Sequence, residues 1–335
     1  MAIFGTLGEN DLSAISASIA DTAVDVFVYD TRKDSDGGAW RKRTQNTSWY
    51  NETLGTATRG TRKEFPAVAV IVAESTQITI YDGDDPDLPM WMVFNTVNGM
   101  INTNGNNLTS VSMMNGTLVW TSFRSGIISF IPESAELLEA GYAYGLRYGL
   151  VNRNTSGGWN SITGRQIVNN TCNDSAMTVL PNAPIDDATG LPIPTIAVAT
   201  DGGLSIINDD GTVSSPLSGT HVGSTIDISD DFVLYYGNES QGGYYPYDVK
   251  TATYIDNARF FGTAIDGPLC LLNNISISTN QDIAFTGDDG QSLAIGMDNG
   301  LNLINGDPRN GISDNGMIAY IASDYNTGWM QGDIK

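Results

Sequence analysis

One hairpin is written twice in this chain. Ala197–Asn208 (AVATDGGLSIIN) and Ala294–Asn305 (AIGMDNGLNLIN) each read as a short apolar strand, an Asp-Gly or Asp-Asn-Gly corner and a second apolar strand. That is the chemistry of a tight β-hairpin. Ala197 matches Ala294, Asp201 matches Asp298, Gly203 matches Gly300, Leu204 matches Leu301, Ile207 matches Ile304 and Asn208 matches Asn305, all at a constant offset of 97 residues. One further unit between the two copies gives a repeat of about 48 residues, the length of a propeller blade.

From Ala23 onward the pattern is strand, turn, strand. Val24–Asp30, Phe65–Ala73, Gln77–Tyr81 and Met90–Phe94 are apolar runs, and Ala39–Arg43 leads out of a polar turn through Trp40. Val111–Met114 and Thr117–Phe123 flank Asn115-Gly116, the clearest two-residue hairpin signal in the chain. Pro132–Gly141 (PESAELLEAG), with Pro and Glu at its start and Gly at its end, reads as a helix inserted between strands. Residues 173–194 are rich in Asn, Asp, Pro and Gly and read as a long loop. Dividing the remaining length evenly gives about seven units of roughly 45 residues. The expected fold is therefore all-β, a β-propeller of about seven blades in one domain over 22–335, whose closure removes exposed sheet edges. Ahead of it, residues 1–21 form an arm or short helix outside the body, with Leu12, Ile15 and Ile19 at helical spacing and Asn10 or Asp11 as cap. The last strand pattern runs up to Lys335, so the natural polypeptide is expected to continue.

Composition narrows the function classes. Acids outnumber bases by 38 to 16, a net charge of −22. A field of that sign argues against nucleic acid and anionic membranes as partners. No apolar stretch is long enough to insert in a membrane, and the first thirty residues lack the pattern of a secretory signal. Half of the bases (Arg32, Lys33, Arg41, Lys42, Arg43, Arg59, Arg62 and Lys63) fall in the first 65 residues, which reads as a solvated strand face or a docking patch for an acidic neighbour. Cys172 and Cys270 have no metal-ligand partners at useful spacing and read as small semi-buried residues.

Candidate site residues are few. His221, the single histidine, lies in LSGTHVGSTID with no nucleophile elbow nearby, so no Ser-His-Asp or Cys-His machinery is expected. Carboxylate pairs abound (Asp84/Asp85, Asp186/Asp187, Asp209/Asp210, Asp230/Asp231, Asp288/Asp289), but Asp is a common turn former, and glycoside hydrolysis needs two carboxyls at a set separation. Asp82, Asp84, Asp85 and Asp87 concentrate hard oxygen ligands that suit Ca²⁺, although the spacing is not that of an EF-hand. Tyr235, Tyr236, Tyr244, Tyr245 and Tyr247 form the densest aromatic patch, with about half facing the core by alternation and the rest free to meet a glycan or a subunit. Trp40, Trp159 and Trp329, each following a turn, read as blade-packing residues.

Ala183–Gly211 (APIDDATGLPIPTIAVATDGGLSIINDDG), VDVFVYDTRKDSDGGAWRKRTQNTSWYNE from Val24 and the closing YNTGWMQGDIK resemble virion structural proteins of marine tailed bacteriophages, in which such a propeller region is often followed by a carbohydrate-binding domain. The resemblance implies a non-enzymatic tail or fibre protein of the virion, made in the host cytoplasm. Its implied partners are other virion proteins, further copies of itself and a host-surface glycan. It brings no catalytic residues and no cofactor beyond the Ca²⁺ considered above. A tail-nozzle component and a glycan depolymerase or sialidase-like enzyme remain as alternatives.

Overall fold

The computed structural model describes residues 12–95, 99–147, 149–155, 157–219, 222–228, 232–238, 243–254, 259–260, 283–285, 292–297, 300–305 and 317–322. The chain forms two compact units, 3–219 and 220–335.

The first unit opens with helix α1 (Ser13–Ile19), as the spacing of Leu12, Ile15 and Ile19 requires. Leu12 itself occupies the N-cap, with no side-chain cap, in place of Asn10 or Asp11. The three apolar residues are buried against Val70, Val72 and Leu88, so this segment is packed on the first sheet and does not stand outside the body.

That sheet is an antiparallel meander of β1 (Ala23–Asp30), β2 (Val68–Glu74), β3 (Ile78–Asp82) and β4 (Met90–Phe94). Between β1 and β2 the chain makes a long excursion over residues 31–67, with 3₁₀ turns at Thr31–Lys33 and Ala39–Arg43 where a strand exit was expected. Its aromatic residues explain why it stays. Phe65 is fully buried, with ring centroids 4.8 Å from Trp91, 5.2 Å from Trp40, 5.4 Å from Phe130 and 5.8 Å from Tyr29. Trp49 donates its indole N–H to the Phe130 carbonyl at 2.8 Å, and Trp91 to that of Glu64 at 2.9 Å. Each ring removes some 150–250 Å² from water while keeping its polar edge satisfied.

The second sheet runs β5 (Ser110–Met114), β6 (Thr117–Thr121), β7 (Ser125–Ser129), β8 (Ser134–Leu138), β9 (Ala143–Arg147) and β10 (Asn160–Ile162) in order. The Asn115-Gly116 corner has φ of 49° and 71°, both positive as a type I′ turn demands. Strand β8 replaces the helix expected over Pro132–Gly141. Glu133 takes a left-handed φ of 53°, which breaks a helix at its first turn, and Ser134 then pairs with Ser129.

The third sheet runs β11 (Cys172–Thr178), β14 (Thr195–Thr200), β15 (Gly203–Ile207) and β16 (Val213–Ser218), and between β11 and β14 the chain makes a separate small hairpin of β12 (Ile185–Asp186) and β13 (Leu191–Pro192). The stretch 173–194, expected as loop, thus carries most of one strand and a hairpin. In the second unit, β17 (Gly223–Ile228), β18 (Val233–Asn238), β19 (Gly243–Asp248) and β20 (Thr253–Tyr254) form a fourth sheet, joined by β21 (Arg259–Phe260) on β19. A fifth sheet runs β22 (Ile283–Phe285), β23 (Ser292–Met297), β24 (Gly300–Asn305) and β25 (Met317–Ala322).

The duplicated hairpin is β14-β15 and β23-β24, the second and third strands of their sheets. The registers match residue for residue: Ala197 faces Ile206 in one copy and Ala294 faces Leu303 in the other, again 97 apart. Among the described residues one sheet lies between the two copies along the chain, as the halved offset requires. Gly203 has φ of 126°, and a Cβ there would fall 2.1 Å from the Leu217 carbonyl oxygen, so only glycine fits this corner. The fold is all-β and propeller-like, five meander sheets among the described residues.

The first strands share a device that the periodicity did not disclose. Asp25 on β1, Asp174 on β11 and Asp227 on β17 each sit beside a register shift, and each accepts the next residue's N–H at 2.7–2.8 Å. Asp25 also accepts the Val111 N–H of β5 at 2.8 Å, which ties the first sheet to the second edge to edge. Replacing Asp25 by Ala leaves two amides without acceptors and is expected to cost about 1–3 kcal/mol, with Asp25→Asn losing less; urea unfolding of the three proteins measures this.

Candidate functional site

A cleft of about 270 Å³ opens in the first unit between the second and third sheets. Its floor is apolar: Ile127 on β7, Ile196 on β14 and Ile207 on β15 belong to one buried cluster, and Leu191 of the small hairpin adjoins them. Strand pairing sets the walls, because Glu136 lies opposite Ile127 across β7-β8, and Ile196 lies opposite Ile207 across the duplicated corner.

The polar rim is charged. Arg165 places a guanidinium N–H on the Glu136 carboxylate, joining the loop after β10 to β8. Asp186 accepts the Ala188 N–H at 3.0 Å, and its carbonyl accepts the Gly190 N–H at 2.7 Å, so this side chain shapes the β12-β13 turn. Asp210 accepts from the Thr212 hydroxyl at 2.6 Å and the Thr212 N–H at 2.9 Å. Those two bonds, the hydroxyl first, hold its carboxyl below the ordinary range. Asp209 also lines the cleft, half-buried, and its carboxylate has no hydrogen-bond partner among the described residues.

One end of the cleft is fixed by Asn115. Its amide donates to the Pro192 carbonyl and the Ser35 hydroxyl, each at 3.0 Å, and its oxygen accepts the Ser35 N–H at 3.0 Å. Behind it lies a buried polar node in which Asp34 accepts from the Tyr29 hydroxyl, from the Trp40 indole at 2.7 Å and from the Asn115 N–H at 2.9 Å. Burial pushes the Asp34 carboxyl above the ordinary range in spite of these three donors. Tyr29 is likewise pushed up, by burial and then by the neighbouring Asp34 charge.

The sequence candidates fare differently. Asp82 and Asp84 do converge, but on a cation the chain supplies: Arg62 lies 2.8 Å from Asp82 and 2.7 Å from Asp84. Burial favours a neutral Asp84, yet the Ala67 and Val68 amides and Arg62 together hold its carboxyl below the usual range. Asp85 accepts the Asp87 N–H at 3.0 Å in an exposed turn. Among the described residues no three acidic, histidine or cysteine side chains converge as metal ligands.

Tyr236 and Tyr247 are buried, so these two of the five tyrosines belong to the core and offer no contact surface. The backbone places Tyr235 opposite Pro246, Tyr244 opposite Gly237 and Tyr245 opposite Tyr236. Trp40 is buried in the aromatic core and Trp159 packs at its margin. Cys172 is buried, its thiol pushed up by the loss of water. His221, Cys270, Trp329, Asp298 and the pairs Asp230/Asp231 and Asp288/Asp289 lie outside the described residues.

Of the eight bases of the N-terminal cluster, Arg32, Lys33, Lys42, Arg43 and Lys63 are exposed, while others turn inward. Arg59 is fully buried 4.5 Å over the Trp91 ring, Arg41 donates to the Phe65 carbonyl at 2.9 Å, and Arg43 pairs with Asp36 at 2.9 Å. Burial lowers the Arg59 pKa to about 10. Arg153 is buried beside it, bidentate to Glu52 at 2.9 Å, with Arg59 3.7 Å from the same carboxylate. Sequence reasoning missed Glu136, Arg165 and Asn115 as cleft residues. Glu136 was hidden by the helical reading of its segment, and Arg165 carries no local signal.

No family model and no curated protein matches this chain. Among solved structures it is similar to the β-propeller domain of Cps50 (Swd1) from Myceliophteria thermophila, with 10% identity over 75% of this chain and 67% of that one at a TM-score of 0.40. It is also similar to BBS1N, solved in complex with ARL6DN (13% identity, 75% of this chain, 64% of that one, TM-score 0.40), and to a functionally unknown protein from Desulfotomaculum acetoxidans (9%, 76%, 65%, TM-score 0.40). The chain thus spans somewhat under two thirds of the length of the latter two. The propeller-like assignment rests on the sheets of this chain, and no function follows from likeness at this level.

Two outcomes are expected. Because Arg62 occupies the centre of the acidic loop, EDTA leaves the melting temperature unchanged; a calcium-reversible drop would show an ion there. Asp34, with its folded pKa above the unfolded one, binds its proton more readily in the native state, so its contribution to stability falls as pH rises through that interval. The stability advantage of wild type over Asp34→Asn therefore shrinks as pH rises above the ordinary carboxylate range, as urea unfolding across pH would record.

Proposed function

We propose that this chain is a non-enzymatic binding and assembly module of a phage virion, carried on the tail or a fibre. The resemblance of its three distinctive segments to virion proteins supports the location. One structural observation supports the absence of catalysis: the rim carboxylates are spent on local structure. Asp186 and Asp210 close their own turns and Glu136 is paired with Arg165, which leaves Asp209 without a partner carboxylate equally free of local bonds. Hydrolysis of a glycoside uses two carboxyls acting together across the bond. Sheets locked by aromatic packing suit a rigid platform whose cleft and loops meet another subunit or a host-surface glycan.

Antibody labelling of this chain on intact particles, together with hydrolysis assays on host polysaccharide, tests the proposal. Label on the tail or fibre and no released sugar is the expected result. Release of sugar that is abolished by Asp209→Asn would establish the enzymatic alternative, and absence of the chain from particles would remove the virion reading.

A further inference from the structure

We propose that the cleft between the second and third sheets receives the side chain of an arginine or lysine presented by a partner protein. The inference deepens the assembly reading and takes from it only that the partner is a protein. Size is the first argument. At about 270 Å³ the cleft falls just below the range of pockets that take drug-sized ligands, and it suits a single long side chain.

Shape and polarity are the second. Ile127, Ile196 and Ile207 offer an apolar floor for an alkyl stem, while the charged groups stand at the rim. Lysine and arginine divide themselves in this way, stem on apolar surface and head among polar groups. Charge is the third argument. Four carboxylates line the cleft (Glu136, Asp186, Asp209 and Asp210) against one guanidinium, and Arg165 balances Glu136 alone. Asp209 remains half-buried with no hydrogen-bond partner among the described residues, an acceptor already shaped into the site and unused. The cleft also holds a guanidinium of its own chain on Glu136, the same chemistry a visiting arginine would repeat. A whole-chain charge of −22 draws basic partners toward it and repels acidic ones.

The probe is acetyl-Gly-Arg-Gly-amide, titrated into the full chain with methyl-labelled isoleucine and read by the methyl resonances of Ile127, Ile196 and Ile207. Saturable shifts of these three methyls are expected. Binding should weaken about fivefold in Asp209→Asn, the scale of one exposed charge pair. It should weaken similarly with citrulline in place of arginine, and as salt is raised. Asp209 bonds nothing in its own loop, so the variant keeps the wild-type melting temperature, and a matched melt confirms that the loss is one of recognition. n-Butylguanidinium alone binding as tightly as the peptide would assign the cleft to a free small cation and overturn the partner-protein source. Equal binding of the citrulline peptide, or shifts of the same methyls by methyl glucoside in place of the peptide, would overturn cation recognition altogether. Particle labelling does not enter this measurement, so failure of the virion assignment and failure of the cleft are told apart.

Discussion

The first unit depends on a buried aromatic assembly supplied by a segment that belongs to no sheet. Residues 31–67 leave β1 and return at β2, and in between they deliver Trp40, Trp49 and Phe65 to a core shared with Trp91, Phe94 and Phe130. Phe65 touches three of these rings, Trp40, Trp91 and Phe130, and Tyr29 as a fourth. A connection of this length would ordinarily be a liability, since its backbone polar groups need partners. Here the rings bring burial, and the indole and arginine N–H groups satisfy the carbonyls that the segment carries inward.

The cost of that arrangement is buried charge. Arg59 and Arg153 lie beneath the surface and share the single carboxylate of Glu52, while backbone carbonyls of Trp91, Lys63, Val93, Leu150 and Thr58 accept from their other nitrogens, and the Arg59 Nε faces Glu52 at 3.7 Å without a hydrogen bond. Buried arginines are tolerated when most of their fork of donors is matched in this way, and burial lowers the Arg59 pKa. Glu133 serves the same segment from the other side, accepting the Ser48 and Leu150 amides at 2.9 and 3.0 Å. Several charges that would be counted as surface in a linear reading are therefore internal fasteners.

The cleft follows from these constraints. Sheets that meet over isoleucines leave an apolar trough, and the corners of β7-β8, β12-β13 and β15-β16 bring polar residues to its edge. Asp residues are abundant at such corners because they form turns well. At the cleft, Asp186 and Asp210 bond within their own turns and Glu136 pairs with Arg165, while Asp209 has no hydrogen-bond partner among the described residues.

Much of the architecture was written locally. A two-residue corner between apolar runs sets its own register, so the copies at 197 and 294 fold alike wherever they sit, and Asn115-Gly116 dictates a type I′ turn by its φ values alone. The helix at Ser13–Ile19 was legible from its spacing for the same reason. Tertiary structure decided what depends on residues distant in the chain. It turned Pro132–Gly141 into a strand, with Glu133 in a left-handed conformation accepting the Ser48 and Leu150 amides and Ser134 paired with Ser129. It drew the acidic loop around Arg62 and set Arg165 against Glu136. Local sequence fixes the backbone conformation that a few neighbouring residues prefer; which side chains meet across a cleft depends on packing between sheets, for which no short stretch carries the instructions.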